Sequence, residues 1–147
     1  MVTAYEASSA SRSTPDAFST DDPICWDTAK ATTFENMVSG ATKFNGALLG
    51  WDTSKVTNMK NTFNNADAFN SELVWDTSSV TTLEETFMDA KSFNQPLAWD
   101  TSKVTTMYGT FYDAFAVNSE LVWDTSSVTD MEYTFFYAQA FNQALDW

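Results

Sequence analysis

The stretch that decides the fold is NSELVWDTSSVT, which stands at Asn70–Thr81 and recurs letter for letter at Asn118–Thr129, 48 residues later. Its Trp-Asp-Thr motif belongs to one register that carries all six tryptophans of the chain. These tryptophans, spaced by 25 residues once and then by 24, are Trp26, Trp51, Trp75, Trp99, Trp123 and Trp147. Because a fixed period of this length is the signature of a repeat protein, we define repeats 1 to 5 as the units that begin at the first five tryptophans.

The first half of each repeat has the apolar spacing of a short helix. In repeat 2, Val56, Met59, Phe63 and Ala66 stand at i, i+3, i+7 and i+10, which is one stripe of a helix surface. The preceding Asp-Thr-Ser supplies side-chain oxygens of the kind that cap free N–H groups at a helix start. The pattern therefore predicts a capped short helix in every repeat.

The second half of each repeat changes to the period of a strand. Leu73 and Trp75 alternate with Glu72 and Val74, which is typical of a strand with one buried face. A unit this small cannot cover its own apolar stripe, so neighbouring units must stack. We therefore predict an α/β solenoid of about five 24-residue strand-plus-short-helix repeats over residues 26–147, with an N-terminal cap or degenerate repeat over residues 1–25 and an uncapped C-terminal end.

Two polar columns accompany the apolar ones. An asparagine follows the phenylalanine or valine that closes each of five segments, and we expect it to form a ladder in which side chains bond backbone groups; the column is Asn45, Asn70, Asn94, Asn118 and Asn142. An aspartate follows each of the first five tryptophans, namely Asp27, Asp52, Asp76, Asp100 and Asp124. Stacked carboxylates repel, and we favour N-terminal helix capping as the remedy, with Ca²⁺ bridging neighbouring repeats as the alternative and the one cofactor hypothesis.

Composition excludes several classes of function. The 147 residues include 20 acidic and 7 basic side chains, for a formal charge of −13, which disfavours nucleic acid and anionic membranes as partners. No apolar run is long enough to cross a membrane, and the N-terminal sequence has no signal-peptide pattern. The chain has no histidine, its one cysteine, Cys25, has no histidine partner, and its four glycines form no phosphate-binding loop. We therefore predict a protein that is not an enzyme.

The repeat resembles a known family. The string FNQPLAWDTSKVTTMYGTFYDAFAVN, at residues 93–118, is similar to the Trp-Asp-Thr-Ser-x-Val-Thr-x-Met repeat of the domain of unknown function 285 family, noted in bacterial surface proteins. The resemblance extends over about residues 26–147, and the family is thought to be distantly related to BspA-like leucine-rich repeats. It implies a leucine-rich-repeat-like solenoid on a cell-surface or secreted protein, used for adhesion or interaction, with no catalytic residues to carry over.

The surface of the predicted helices becomes aromatic towards the C-terminus. We expect Tyr133 and Tyr137 to point outward, with Tyr108, Tyr112 and Phe136 at the edge of the buried stripe. Exposed aromatic clusters indicate a partner surface or a glycan platform, unless an extension of the chain covers them. We therefore predict a non-enzymatic adhesion or interaction protein that binds a protein or a glycan.

Two alternatives remain. The first is a structural subunit that self-associates end to end through the C-terminal edge at Leu145 and Trp147. The second is ice binding, because two threonine columns run along the repeats; they are Thr53, Thr77, Thr101 and Thr125, and Thr57, Thr81, Thr105 and Thr129.

Overall fold

The computed structural model describes residues 24, 26–48, 50–145 and 147. These residues contain no helix, and their only β structure consists of isolated bridge residues. Parallel bridges link successive repeats at Thr33–Asn58, Asn58–Thr82, Thr82–Thr106 and Thr106–Asp130. The predicted α/β solenoid of strand-plus-helix repeats is therefore wrong, and so is the leucine-rich-repeat-like architecture; the fold is a stack of mostly irregular coils.

Consecutive tight turns replace the predicted helix. In repeat 3 the Thr86 N–H donates to the Leu83 carbonyl at 3.1 Å and the Ala90 N–H donates to the Phe87 carbonyl at 3.1 Å, so each bond spans three residues. An α-helix needs bonds that span four residues and negative φ throughout. The third residue of each of these two turns has positive φ instead, 52° at Glu85 and 56° at Asp89, which ends any helix after one turn.

Positive φ recurs in two columns, four residues apart, in every repeat. One column holds Asn36, Asn61, Glu85, Gly109 and Tyr133, and the other holds Gly40, Asn65, Asp89, Asp113 and Tyr137. Glycine, asparagine and aspartate adopt this conformation most readily, and they fill seven of these ten positions. The turn chemistry of these columns thus overrides the helical spacing of the apolar residues.

The remaining N–H groups in these turns connect one repeat to the next. Every second residue from Leu83 to Asp89 donates its N–H to a carbonyl of repeat 4, in the bonds Leu83 to Thr106 at 3.1 Å, Glu85 to Tyr108 at 2.8 Å, Phe87 to Thr110 at 2.9 Å and Asp89 to Tyr112 at 2.8 Å. Between them, the N–H groups of Thr86 and Met88 close turns within the repeat, and the Glu84 N–H donates to the Thr82 hydroxyl at 3.1 Å. The backbone therefore satisfies its polar groups without regular helix or strand.

The predicted strand segment has the expected burial but not the expected ladder. Leu73 and Trp75 are buried, whereas Val74 between them is 82% exposed. Within the described chain, residues 71–76 form no backbone–backbone hydrogen bond. The neighbouring repeats are joined here by side chains instead, for example by the Thr53 hydroxyl, which donates to the Asp76 carbonyl at 2.9 Å.

Aromatic side chains stack from repeat to repeat to form the core. The fully buried Phe87 ring lies 5.3 Å from Phe63 and 5.5 Å from Phe111, and the Trp75 ring lies 6.2 Å from that of Trp99 at an interplanar angle of 4°. Because the same residue types meet at every level, the core is continuous along the stack. Its burial is the main source of stability.

The predicted asparagine ladder is confirmed. The Oδ1 atoms of the first four asparagines each accept the backbone N–H of the next asparagine in the column, at 2.7 Å from Asn70, 2.8 Å from Asn94, 2.7 Å from Asn118 and 2.8 Å from Asn142. These bonds satisfy N–H groups where the backbone makes no ladder of its own.

The predicted N-terminal cap lies outside the described residues, except for Ile24. This side chain is buried, as are Leu73 and Leu97 at the same place in later repeats. The Ile24 N–H donates to the Ala47 carbonyl at 3.0 Å, and its carbonyl accepts the indole N–H of Trp51 at 2.8 Å. Residue 24 is thereby attached to repeats 1 and 2.

Candidate interaction surface

Five aromatic side chains of repeats 4 and 5 lie together on the surface, and we call them the aromatic patch: Tyr108, Tyr112, Tyr133, Phe136 and Tyr137. Tyr133, Phe136 and Tyr137 are 44%, 41% and 59% exposed, whereas Tyr108 and Tyr112 are half-buried. The positive-φ turns place these side chains on the outside of the stack. The outward direction predicted for Tyr133 and Tyr137 thus agrees with their exposure, although the helix from which it was inferred is absent.

Most ring pairs in the patch meet edge to face. The Tyr133 ring lies 5.7 Å from Tyr108 at 85°, 6.3 Å from Tyr112 at 78° and 5.5 Å from Phe136 at 79°. Phe136 stacks on Tyr112 at 5.0 Å and meets Tyr137 edge-on at 4.4 Å. Edge-to-face packing of this kind holds the rings in a defined arrangement while leaving parts of their faces open to solvent.

A depression of about 370 Å³ lies within the patch, and we call it the Gly109 notch. It is lined by Glu85, Met88, Tyr108, Gly109, Tyr112, Tyr133 and Phe136. Gly109 stands in the positive-φ column between Glu85 of repeat 3 and Tyr133 of repeat 5. Because glycine has no side chain, this column has a gap at Gly109, between the side chains of Glu85 and Tyr133.

Two residues of the patch have an unfavourable backbone conformation. Tyr133 has φ 58° and Tyr137 has φ 56°, in the left-handed region that bulky side chains rarely adopt. Corresponding positions in earlier repeats hold asparagine, aspartate or glycine in most cases, which adopt it at lower cost. Sequence reasoning missed this feature, although the enrichment of those residue types in both columns was a usable signal.

Acidic side chains lie next to the aromatic patch. Burial, followed by the charge of Asp113, raises the pKa of the Tyr112 hydroxyl, and a hydrogen bond with Glu132 raises the pKa of Tyr133. The nearby Glu84 is paired with Lys60 at 2.6 Å. Neither of the two ion pairs found among the described residues includes Glu85.

The aspartate column makes local turns rather than helix caps. Asp76 Oδ1 accepts the Ser78 N–H at 3.0 Å and the Ser78 hydroxyl at 2.7 Å, and these bonds lower the pKa of the carboxyl. Asp52, Asp100 and Asp124 have their pKa lowered by the same interaction with the serine two residues later. In the described part of the chain, no group of three or more cysteine, aspartate or glutamate side chains is arranged to hold a metal ion.

The threonine columns take part in bonding between repeats. Thr53, Thr77 and Thr101 are buried. Thr81 in the second column is exposed, and its hydroxyl donates to the Thr57 carbonyl at 3.0 Å. Ice binding therefore stays a hypothesis without a dedicated site, and a thermal-hysteresis measurement tests it.

Leu145 and Trp147 lie apart from the patch, on the outer face of repeat 5. Trp147 stacks on Trp123 at 6.1 Å, and both Leu145 and Trp147 are half-buried against the core. On the same face Met131 is 38% exposed, whereas its counterpart Met107 is fully buried.

The comparisons with known proteins give one match. The model of a family described as "Mycoplasma protein of unknown function, DUF285" matches residues 8–122 and, in a second match, residues 73–147. No curated protein and no solved structure matches the chain. In the described residues, no helix has the length and apolar character needed to cross a membrane.

Proposed function

The chain belongs to the family described as "Mycoplasma protein of unknown function, DUF285", and from this premise we propose that it is a non-enzymatic surface or secreted repeat protein that mediates adhesion. In this proposal the aromatic patch binds a partner protein, and the stack of coils holds the patch in a fixed arrangement. The proposed location rests on the family resemblance alone.

The observation that carries the proposal is the pair of exposed tyrosines at positive φ. Tyr137 is 59% exposed, so the free energy gained by burying its ring offsets little of the conformational cost of φ 56°. Backbone strain of this kind persists at binding sites, where the side chain is needed for recognition. Folding alone therefore favours asparagine or glycine at Tyr133 and Tyr137, whereas binding accounts for tyrosine.

The ring geometry favours a protein over a glycan. A sugar ring stacks best on a flat aromatic platform, but Tyr133 stands nearly perpendicular to Tyr108, Tyr112 and Phe136. Clustered tyrosine and phenylalanine side chains with a recess between them are typical of the centre of a protein interface. A protein side chain can enter such a recess.

The test is a selection of peptides from a random display library on the folded 147-residue chain. Enriched peptides should bind a Tyr133→Asn/Tyr137→Asn variant at least about tenfold more weakly, since a few aromatic residues dominate binding at interfaces. The control is Asn61→Gly/Asn65→Gly, which changes the same two columns in repeat 2 and leaves the patch intact. Equal binding to all three proteins would contradict the proposal, and tyrosine-dependent binding on a glycan array without peptide enrichment would assign the patch to a glycan.

A second candidate function, end-to-end assembly with another copy of the chain, is favoured by backbone groups of repeat 1 and repeat 5. In each earlier repeat, four alternate N–H groups donate to the next repeat, but their counterparts in repeat 5 have no partner among the described residues; these are Met131, Tyr133, Phe135 and Tyr137. The matching carbonyls in repeat 1 accept no bond from a described residue; these are Thr33, Glu35, Met37 and Ser39.

The test of assembly is the light-scattering mass over a wide range of concentration. Reversible oligomers that become smaller in a Leu145→Lys variant would support stacking through this face. A monomer at every concentration would contradict it.

A further inference from the structure

We propose that the Gly109 notch binds the ammonium group of a lysine side chain of a protein partner. This inference rests on the proposed function and specifies the chemistry that the aromatic patch recognises. In this proposal the notch is the specificity pocket within the larger contact surface that the aromatic patch forms.

The backbone conformation at residue 109 does not by itself require a glycine, so it does not require the recess either. Asn36 and Asn61 occupy the same column as Gly109 and adopt the same left-handed conformation, with φ 56° in each. A glycine at φ 57° is therefore not the only residue that fits there. A Cβ atom at this position would lie 3.4 Å from Glu85 Cγ and 3.8 Å from Tyr112 Cβ, in ordinary van der Waals contact, so a side chain here would occupy the space between these two lining residues.

The residues around this space suit a cation on an alkyl chain. Tyrosine rings attract cations through the negative potential of their faces, and Tyr108, Tyr112 and Tyr133 all line the notch. Glu85 also lines the notch, carries a carboxylate, and belongs to neither ion pair of the described residues. Met88 and Phe136 provide apolar surface for the methylene groups of a lysine.

The charge of the whole chain favours the same ligand. A formal charge of −13 attracts basic partners over a distance and raises their rate of encounter. Lys60 binds the neighbouring Glu84 at 2.6 Å, and although the charge of Glu85 also helps to raise the pKa of Lys60, the two form no ion pair. A partner lysine would thus supply the opposite charge to Glu85.

The inference is tested by NMR titration of the full chain with two blocked tripeptides, acetyl-Gly-Lys-Gly-amide and its neutral norleucine analogue. The lysine peptide should shift the amide resonance of Gly109 and the ring resonances of Tyr108 and Tyr112 in a saturable way, with Kd of about 1 mM or weaker, as befits a single side chain. The norleucine peptide should bind at least about threefold more weakly, because it lacks the charge.

Variants assign the binding to the notch. Gly109→Asn, which fills the recess with a residue already found in this column, should weaken lysine-peptide binding about tenfold or more. Glu85→Gln, which removes the charge and keeps the shape, should weaken it about threefold to tenfold. Asn61→Gly in repeat 2 is the matched control and should leave the affinity unchanged.

Three results would overturn the inference: no saturable shift with the lysine peptide, equal affinity for the norleucine peptide, or unchanged affinity in a folded Gly109→Asn variant. Its failure is distinct from failure of the proposed function. Library peptides that depend on Tyr133 and Tyr137 but bind the Gly109→Asn variant normally would keep the aromatic patch as the interface and remove the lysine pocket.

Discussion

At the scale of single residues, backbone conformation and side-chain role compete most clearly at Tyr137. Its φ of 56° is unfavourable for an aromatic residue, and its ring meets that of Phe136 edge-on at 4.4 Å. In repeat 2 the same position is Asn65, which adopts φ 58° at lower cost. The residue type at this position is therefore better explained by what the surface binds than by how the chain folds.

We expect the replacement Tyr137→Asn to raise the free energy of unfolding by about 1 kcal/mol, because asparagine relieves the left-handed strain. The reciprocal replacement Asn65→Tyr in the same column should lower it by a similar amount. Equilibrium unfolding in urea measures both. A loss of stability in Tyr137→Asn would mean that packing against Phe136 outweighs the strain.

Aspartates with opposite pKa shifts predict opposite responses to pH. The Ser78 bonds lower the pKa of Asp76, so its contribution to stability is present above the ordinary value of 3.8 and is lost as pH falls through the folded value. Burial, with the charge of Asp113, raises the pKa of Asp89, so its contribution is present at acid pH and is lost as pH rises through the folded value.

We therefore expect the free energy of unfolding to fall less in Asp76→Asn than in the wild type as the pH is lowered from 5 to about 3. Asp89→Asn should be more stable than the wild type at pH 7, with the difference disappearing towards pH 3. Urea unfolding at several pH values checks both variants side by side. Parallel pH profiles for the two variants would contradict the assigned causes.

At the scale of the structural element, each repeat is a series of tight turns tied to its neighbours by backbone and side-chain bonds. The asparagine ladder secures the segment where backbone bonds between repeats are missing. Asn94 is a central member, since its Oδ1 accepts the Asn118 N–H at 2.7 Å and the Ser119 hydroxyl at 3.1 Å.

We expect Asn94→Ala to lower the free energy of unfolding by about 1–3 kcal/mol, because it leaves the Asn118 N–H without its acceptor. Asn94→Asp retains an oxygen in the same place and should lose clearly less. Thermal or urea unfolding of the two variants gives the comparison. Equal losses would show that the amide nitrogen, rather than the acceptor oxygen, carries the effect.

At the scale of the whole molecule, a continuous apolar core supports a strongly acidic surface. The formal charge is −13, and two ion pairs are found among the described residues. Repulsion between like charges at this density destabilises the compact state and is screened by salt.

We expect the melting temperature to rise by about 2–4 °C from 10 to 150 mM NaCl, which corresponds to about 1 kcal/mol for a chain of this size. Measuring the melting temperature in CaCl₂ at equal ionic strength tests in addition whether Ca²⁺ binds the aspartate column. An equal rise with both salts would indicate screening, whereas a larger rise with CaCl₂ would support Ca²⁺ bridging at Asp52, Asp76 and Asp100. A fall in melting temperature with NaCl would contradict the role given to repulsion.

Sequence reasoning succeeded where a property depends on repetition. The 24-residue period places identical residues at successive levels, so the buried columns, the asparagine ladder and the aromatic gradient could all be inferred before any local structure was known. It failed on helix and strand because two signals conflicted. The spacing of Val56, Met59, Phe63 and Ala66 suits a helix, whereas Asn61 and Asn65 between them suit positive φ.

The sequence by itself determined which residues stack, since a chain with a fixed period must bury the same columns at every level. Only the tertiary structure decided the backbone path, because each N–H in the turns can donate either to a carbonyl three residues back or to a carbonyl of the adjacent repeat. That choice depends on the neighbouring repeat being in place. The Gly109 notch has the same origin: Glu85, Tyr108 and Tyr133 come from three different repeats, and stacking alone brings them around one glycine.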